Sequence, residues 1–320
     1  MMMNFLSCDW GTSFFRLCFA ENSVLKMSSA ENQGIASCFD LYKKSGKEEG
    51  ERFLFYRNIL DENISLLQQQ LKISLQKVPI VISGMASSSI GMIHLPYKEI
   101  PVKADGSEFL VRRIAPVSGF AHEIILISGL KTDDDVIRGE ETQLAGCEHD
   151  LNDEELFIFP GTHSKHIRVK EGRVADFRTY MTGEFFELLS AKSILAASVE
   201  KGNGLGDKGN KISFEAGVNA SGEANLLHAS FVVRTNQLFD KLSSIENYYY
   251  LSGLLIGTEL RELRKNSFKK ITLVINDTLK PYYTTACNIL GLQEVAELII
   301  QDAGRALLKG QSRIYNELKK

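Results

Sequence analysis

What the 320-residue sequence lacks narrows its function before any motif is read. It has no surplus of either charge: 37 Lys and Arg stand against 40 Asp and Glu, a formal net charge of −3. Without a basic excess there is no electrostatic footprint for a nucleic-acid backbone, so nucleic acid is not an expected partner. No stretch approaches the ~18 uninterrupted apolar residues of a membrane span. The N-terminus carries no positive leader, and Asp9 breaks its apolar run, so neither a membrane anchor nor a secretory signal is expected. The five cysteines, Cys8, Cys18, Cys38, Cys147 and Cys287, are odd in number and form no C-x-x-C pair. They suggest neither a disulfide framework nor a zinc site, and read as small buried residues in a reducing compartment. Low-complexity bias is missing too: 44% apolar and 24% charged residues are ordinary for a globular chain. The expectation is a cytoplasmic globular protein. Its length suits two domains of about 150 residues, enough to fold without staples.

A coarse pass finds strands alternating with helices. Phe5–Cys8, Phe14–Ala20 and Val24–Met27 read as short strands joined by tight turns. Residues 51–72 carry apolar side chains at helical spacing, and Pro79 punctuates before the strand Ile80–Ile82. Ile124–Ser128 is a further buried strand, and a helix starts near Glu140, where acidic residues suit the N-terminal dipole. The opening scheme then returns: strand Leu156–Phe159, turn Pro160–Lys165, strand His166–Lys170, a Glu171-Gly172 turn and Val174–Tyr180. Helices are expected over 182–198, 245–264 and 279–290, and strands at Ile271–Ile275 and Leu298–Gln301. Residues 201–211 read as loop. The fold class is α/β, in two domains, 1–130 and 131–320.

The informative feature is a pair of strand–turn–strand units 150 positions apart, S-C-D-W-G-T-S at 7–13 and F-P-G-T-H-S-K at 159–165. Each offers an apolar strand, then Gly-Thr, then a further hydroxyl. Such a turn presents backbone N–H groups and hydroxyls to a phosphate, and glycine permits close approach. Gly11, Thr12 and Ser13 in the first turn, and Gly161, Thr162, His163, Ser164 and Lys165 in the second, are therefore candidate phosphate-binding residues. For Lys165 a solvated strand end is the alternative. Asp9 is placed to hold a hydrated Mg²⁺ beside those phosphates. Between the turns lies R-G-E-E-T-Q (138–143). Phosphoryl transfer needs positioning, charge stabilisation and a carboxylate that accepts the hydroxyl proton, a role that suits Glu140. The bland alternative for Glu140 is a solvated capping charge. Asp133–Asp135 read as a solvated turn. The strand and loop I-S-G-M-A-S-S-S-I-G-M (82–92) could present N–H groups and hydroxyls to a substrate carboxylate, through Ser83, Gly84, Met85, Ala86 and Ser87. An ordinary flexible loop is the alternative there. Arg16 could reach a carboxylate bidentately or pair with a surface acid. His163 and His166 are three apart, but on a strand they point to opposite faces, which argues against a shared metal. G-N-G-L-G at 202–206 follows no apolar strand and reads as a connection, not a dinucleotide fingerprint.

Taken in order, these strings resemble the 2-dehydro-3-deoxygalactonokinase family of the sugar kinase, hexokinase, Hsp70 and actin superfamily. The resemblance rests on D-W-G-T-S-F-F-R (9–16), S-G-M-A-S-S (83–88), L-P-Y (95–97) and G-L-K-T-D-D-D-V-I-R-G-E-E-T-Q (129–143). It continues in F-P-G-T-H-S-K (159–165), M-T-G-E-F-F-E-L-L (181–189), V-R-T (233–235) and Y-L-S-G-L-L-I-G-T-E-L (250–260). It implies two actin-like ATPase (ribonuclease H-like) domains with an interdomain cleft, closing to exclude water from Mg·ATP and substrate. The implied reaction is ATP-dependent phosphorylation of the 6-hydroxyl of 2-dehydro-3-deoxy-D-galactonate, in galactonate breakdown. The implied roles are Glu140 as general base with Glu141 as fallback, Asp9 as catalytic and Mg²⁺-holding, Gly253 as nucleotide-binding, and Arg16, Arg138 and Glu141 as substrate-binding. A homodimer is an open possibility.

Three positions depart from the family's pattern. His166 and Met92 stand where members often carry Trp, so an aromatic wall on substrate or nucleotide would differ. Asn276-Asp277-Thr278 replaces a Gly/Ser/Pro-rich turn expected near the nucleotide, which hinders close approach, and Asp277 would meet like charge unless Mg²⁺ intervenes. That turn motivates a rival reading, a degenerate kinase that senses a sugar acid or nucleotide without phosphotransfer. A kinase for another keto-deoxy sugar acid is a further alternative, because epimers differ by a few hydrogen bonds.

Overall fold

The computed structural model describes residues 4–21, 24–31, 33–265 and 268–319. The chain forms two compact units. One comprises Met1–Leu151, Val169–Phe177 and Ala303–Lys320, and the other Asn152–Arg168 and Arg178–Asp302. A cut at residue 130 would not give these units, because residues 131–151 and the C-terminal helix both pack with the first.

The first unit begins with β1 (Phe5–Trp10), β2 (Phe14–Glu21), β3 (Val24–Glu31), α1 (Ile35–Lys44), α2 (Arg52–Leu71) and β4 (Ile80–Gly84). Short strands β5 (Lys98–Glu99) and β6 (Val102–Lys103) follow, then β7 (Val111–Ile114), β8 (Ile124–Ile127), β9 (Leu130–Lys131), β10 (Val136–Ile137) and the short helix α3 (Glu140–Ala145). The main sheet runs β3-β2-β1-β4-β8-β7. β1 is antiparallel to β2 and parallel to β4, and β4 is parallel to β8. β1 is buried at every position, as befits a central strand covered on both faces. Leu6, Cys8 and Trp10 enter one core with Tyr56, Leu60, Ile64 and Leu67 of α2. The two-residue period therefore turns Ser7 and Asp9 to the other face.

The second large sheet and its helices comprise β11 (Glu154–Phe159), β12 (Ser164–Lys170), β13 (Arg173–Tyr180), α4 (Thr182–Lys192), α5 (Lys208–Ala220), α6 (Leu226–Leu238), α7 (Ser244–Leu260), β14 (Lys270–Ile275), α8 (Lys280–Ile289) and β15 (Glu297–Asp302), all in the second unit except Val169–Phe177. Its strands run β15-β14-β11-β12-β13, with β14 parallel to both β11 and β15. Numbered within each sheet, the order is 3-2-1-4-6-5 in the first and 3-2-1-4-5 in the second, so the first four strands follow one order both times. The returning strand–turn–strand pattern in the sequence is the visible part of this repeated topology. Helix α9 (Ala303–Glu317) then rejoins the first unit and covers the Asp9 face of its sheet. Gln311 of α9 is wholly buried, and its amide donates to the Cys8 carbonyl at 3.0 Å and the Ser83 hydroxyl at 2.9 Å.

Close helix crossings explain several glycines. A methyl on Gly310 of α9 would fall on the Thr142 carbonyl, and one on Gly253 of α7 would fall on the Phe214 carbonyl of α5. The expected loop at 201–211 ends early: Asp207 caps α5 by accepting a hydrogen bond from Asn210 N–H at 3.0 Å. Helices α1, α5, α6 and α9 have no counterpart in the sequence-based reading. All five cysteines are buried thiols. Among the described residues, no helix is long and apolar enough to cross a membrane.

Candidate active site

In the first unit, three backbone segments converge at the carboxyl ends of two parallel strands, where open α/β sheets characteristically place ligands. Asp9 sits opposite Ser83 and Trp10 opposite Gly84 in the β1–β4 pair. Gly84 has φ +89°, and a side chain there would come within 2.7 Å of the Trp10 carbonyl and 3.6 Å of Asp9 Oδ1. Gly139 has φ +113°, and its missing Cβ would lie 3.4 Å from Gly84 Cα. Only glycine adopts such conformations without strain, so the close approach of β1, β4 and the start of α3 depends on both. Glu140 is the first residue of α3, and its carboxylate accepts a hydrogen bond from Arg138 N–H at 3.1 Å.

The carboxylates here are electrostatically distinct. Burial pushes the Asp9 carboxyl up to about 6; Arg16 draws it down and the negative Glu140 raises it. Glu141 is fully enclosed, accepting from Gly139 N–H at 2.6 Å and from the Thr142 hydroxyl at 2.9 Å. Burial, then the charge of Glu140, raises it to about 7. Glu140 is only half-buried. Of the Glu140–Glu141 pair, Glu140 is the more accessible, and Glu141 braces the turn through Gly139 N–H. A cavity of about 150 Å³ beside Asp9 is lined by Ser7, Arg16, Cys18, Gly304, Leu307 and Leu308. The α9 side of it was not foreseen, since that helix was missed.

The two Gly-Thr turns share one construction. In the first, the carbonyls of Gly11 and Thr12 accept hydrogen bonds from Ile35 and Ala36 N–H at 2.9 and 3.1 Å, at the start of α1. Gly34, just before that helix, lies so close that a methyl would meet the Thr12 carbonyl and come within 2.6 Å of Phe14 N. In the second, the Thr162 carbonyl accepts from Glu184 N–H at 3.0 Å, at the start of α4. A methyl on Gly183 would come within 2.7 Å of both the Gly161 carbonyl oxygen and Thr162 Cα. Each turn is thus buttressed by the first turn of the helix that follows the third strand. The hydroxyl side chains of Thr12, Ser13 and Thr162 remain exposed.

Other sequence-predicted residues are placed less directly. Ser164 is fully buried, and its hydroxyl donates to Glu259 at 2.6 Å. Lys165 is buried, with Nζ donating to the His163 carbonyl at 2.7 Å. His163 points outward to Glu184 at 2.5 Å, while His166 is buried against Glu259 at 3.0 Å, so the two histidines do face opposite ways. Gly253 lies within the buried helix α7, where the α5–α7 crossing leaves no room for a side chain. Ser83, Ala86 and Ser87 are enclosed. Arg138 holds that loop: Nη1 donates to the Ser87 carbonyl at 2.8 Å and to its hydroxyl, Nη2 reaches the Leu95 carbonyl at 3.5 Å, and the guanidinium lies 4.1 Å from the Tyr97 ring centre. The loop is therefore built, not slack. Ser88 Oγ and Arg138 Nε are buried there without a partner among the described residues; Ser88 was overlooked in a run of three serines. Met92 and His166, the expected sites of an altered aromatic wall, are both core positions. Asn276 closes its turn with its own side chain, Oδ1 accepting from Leu279 N–H at 3.0 Å, and Asp277 is exposed. Asp133 and Asp134 lie exposed in a turn closed by Thr132.

The residues present fit Mg²⁺ and a triphosphate. Mg²⁺ in such sites is held by one or two carboxylates, water and the substrate's own phosphates. Asp9 beside Glu140 supplies excess negative charge that Arg16 only partly offsets, which a dication would relieve. The residues that would hold it are Asp9 and, through the phosphates, the Gly11–Ser13 turn of the same unit.

Comparison with known proteins gives a consistent picture. A family model described as 2-keto-3-deoxy-galactonokinase matches residues 9–314. A protein of Rhizobium meliloti (strain 1021), named as a probable 2-dehydro-3-deoxygalactonokinase, is 29% identical over 319 residues, spanning 97% of this chain and 96% of its own. The 2-dehydro-3-deoxygalactonokinase of Escherichia coli (strain K12) is 31% identical over 230 residues, 69% of this chain and 74% of its own. A crystal structure from Sinorhizobium meliloti, provisionally named a 2-dehydro-3-deoxygalactonokinase, superposes with TM-score 0.79 at 27% identity, covering 98% of this chain and 96% of that one.

Proposed function

Because the chain belongs to the 2-keto-3-deoxy-galactonokinase family, whose members are phosphotransferases of the actin-like ATPase fold, we propose that it transfers the γ-phosphoryl group of ATP to the 6-hydroxyl of 2-dehydro-3-deoxy-D-galactonate. The acceptor is the one in the curated relatives' names. In this reading Glu140 accepts the hydroxyl proton as the bond to phosphorus forms. Asp9 holds Mg²⁺, which neutralises charge on the β- and γ-phosphates when bound. Each turn offers phosphate donors of its own, Thr12 and Ser13 in the first unit and Thr162 and His163 in the second. The loop after β4, stiffened by Arg138, receives the sugar acid, and Arg16 faces the same strand end. The reaction runs in the cytoplasm on two small molecules.

One observation carries this reading: the Gly-Thr turn, buttressed by a glycine at a helix start, is built twice, once in each unit. A single turn would be an ordinary hairpin, whereas repetition of the buttress argues for a shared ligand chemistry. The test is a coupled ADP-release screen across keto-deoxy sugar acids with Mg²⁺ present. ADP release dependent on the galactonate-derived acid supports the proposal. Preference for another epimer would reassign the acceptor, and nucleotide binding without ADP release for any acid would favour a sensor.

A further inference from the structure

Helix α7 is buried along nearly its whole length, yet carries a carboxylate near its end. Glu259 is 3% exposed. Its Oε1 accepts the Ser164 hydroxyl at 2.6 Å and faces His166 Nε2 at 3.0 Å, and its Oε2 accepts the hydroxyls of Thr182 at 2.5 Å and Tyr283 at 2.9 Å. An ionised carboxylate offers about four lone-pair sites, and here all are filled. Burial alone would raise this carboxyl, but hydrogen bonds from His166, Ser164 and Thr182 hold it below the ordinary glutamate range. A saturated, sealed carboxylate is unsuited to proton transfer with substrate. Its role must act through what it holds.

Its partners are not spread evenly. Ser164 is the first residue of β12, directly after the Gly161–His163 turn. Thr182 is the first residue of α4, directly before Gly183 and Glu184, which buttress that same turn from the other side. Glu259 therefore ties together the exit of the turn and its buttress. Tyr283, on α8, makes the same kind of bond to the same carboxylate and its hydroxyl also meets Ser164, but it belongs neither to the turn nor to its buttress. We propose that Glu259 is a positioning residue: it sets the path of the second phosphate turn through Ser164 and Thr182, and so sets the affinity for the nucleotide triphosphate. The inference rests on the reading of that turn as a nucleotide site, and deepens it.

The uneven placement supplies the test. Steady-state KM for ATP, Kd for Mg·ATP by titration calorimetry, and the thermal midpoint are measured for the full chain and four variants. Ser164→Ala and Thr182→Val should each raise KM and Kd for ATP by about fivefold to twentyfold. Glu259→Gln, which keeps one acceptor oxygen, should raise both by about threefold to tenfold, with kcat within threefold of wild type. Tyr283→Phe should lower the thermal midpoint comparably but leave both ATP constants within twofold. The proposal is overturned if all four variants lose stability with ATP constants unchanged, or if Tyr283→Phe weakens ATP binding as much as Ser164→Ala does. Absence of nucleotide binding in the unaltered chain would overturn the kinase reading and this inference together, whereas normal binding with unshifted variants removes the inference alone.

Discussion

Asp9 and Arg16 stand directly opposite each other across the β1–β2 ladder, with a guanidinium nitrogen 3.8 Å from a carboxylate oxygen. The arginine is nearly half exposed, so solvent screens it. The pair therefore leaves Asp9 a poorly neutralised carboxylate at a buried strand end. In the proposed reaction that residual charge serves Mg²⁺. Asp9→Asn keeps the shape and removes the charge. We expect kcat to fall by roughly 10²–10³-fold, the scale for losing one preorganised electrostatic contact, with the circular dichroism spectrum unchanged. Activity within threefold of wild type would take Asp9 out of the site.

Glu140 and Glu141 are adjacent in sequence but separated by burial. Glu140→Gln should fold normally and lower the phosphorylation rate by roughly 10²–10⁴-fold, the range for a general acid–base group. Single-turnover rates at saturating ATP and sugar acid would measure it. A rate within threefold of wild type would remove Glu140 from the role of base.

Glu141 predicts a pH signature in stability. Burial, then the charge of Glu140, raises its carboxyl to about 7 in the folded protein against the ordinary glutamate value of 4.5. Between those values the folded chain holds a proton that the unfolded chain releases, so stability is fully present below about 4.5 and falls as pH rises toward 7. The loss is on the order of 3 kcal/mol at about 1.4 kcal/mol per unit. Glu141→Gln should flatten this slope, matching wild type near pH 4.5 and exceeding it at pH 8 in urea midpoints. Parallel pH slopes for the two proteins would contradict the assignment.

Glycines at two kinds of place should behave differently. Gly34→Ala and Gly183→Ala force a methyl onto the backbone of a Gly-Thr turn, and each should raise KM for ATP about tenfold or more, because small misplacements of binding groups are costly. Gly253→Ala overpacks a helix crossing, costing about 1–3 kcal/mol, and should lower the thermal midpoint with KM for ATP within twofold. A KM effect from Gly253→Ala larger than from Gly183→Ala would return Gly253 to the nucleotide site.

The parts of this molecule that could be read from sequence are those whose chemistry is local. A Gly-Thr turn after an apolar strand carries its own signature, and so do parallel strands such as Ile80–Gly84 and Lys270–Ile275, whose runs are apolar because both faces are covered. Roles that depend on distant partners were hidden. Gln311 reaches Cys8 across 303 positions, and Glu259 reaches Ser164 across 95. Both had a signal that could have found them. Ala306, Leu307, Gly310, Gln311, Ile314 and Tyr315 repeat at helical spacing, and a lone carboxylate inside the apolar run 249–260 requires buried partners. The enclosure of Ser83, Ser87 and Ser164 was illegible, because a serine string reads the same whether its hydroxyls face ligand or core.

Phosphorus NMR of the reaction of ATP, Mg²⁺ and 2-dehydro-3-deoxy-D-galactonate is the most direct measurement. A new phosphomonoester resonance coupled to the protons on carbon 6, growing in step with ADP and absent with Glu140→Gln on the same timescale, is the expected result. Inorganic phosphate as the sole new species, or no consumption of ATP at all, would contradict phosphoryl transfer to the sugar acid.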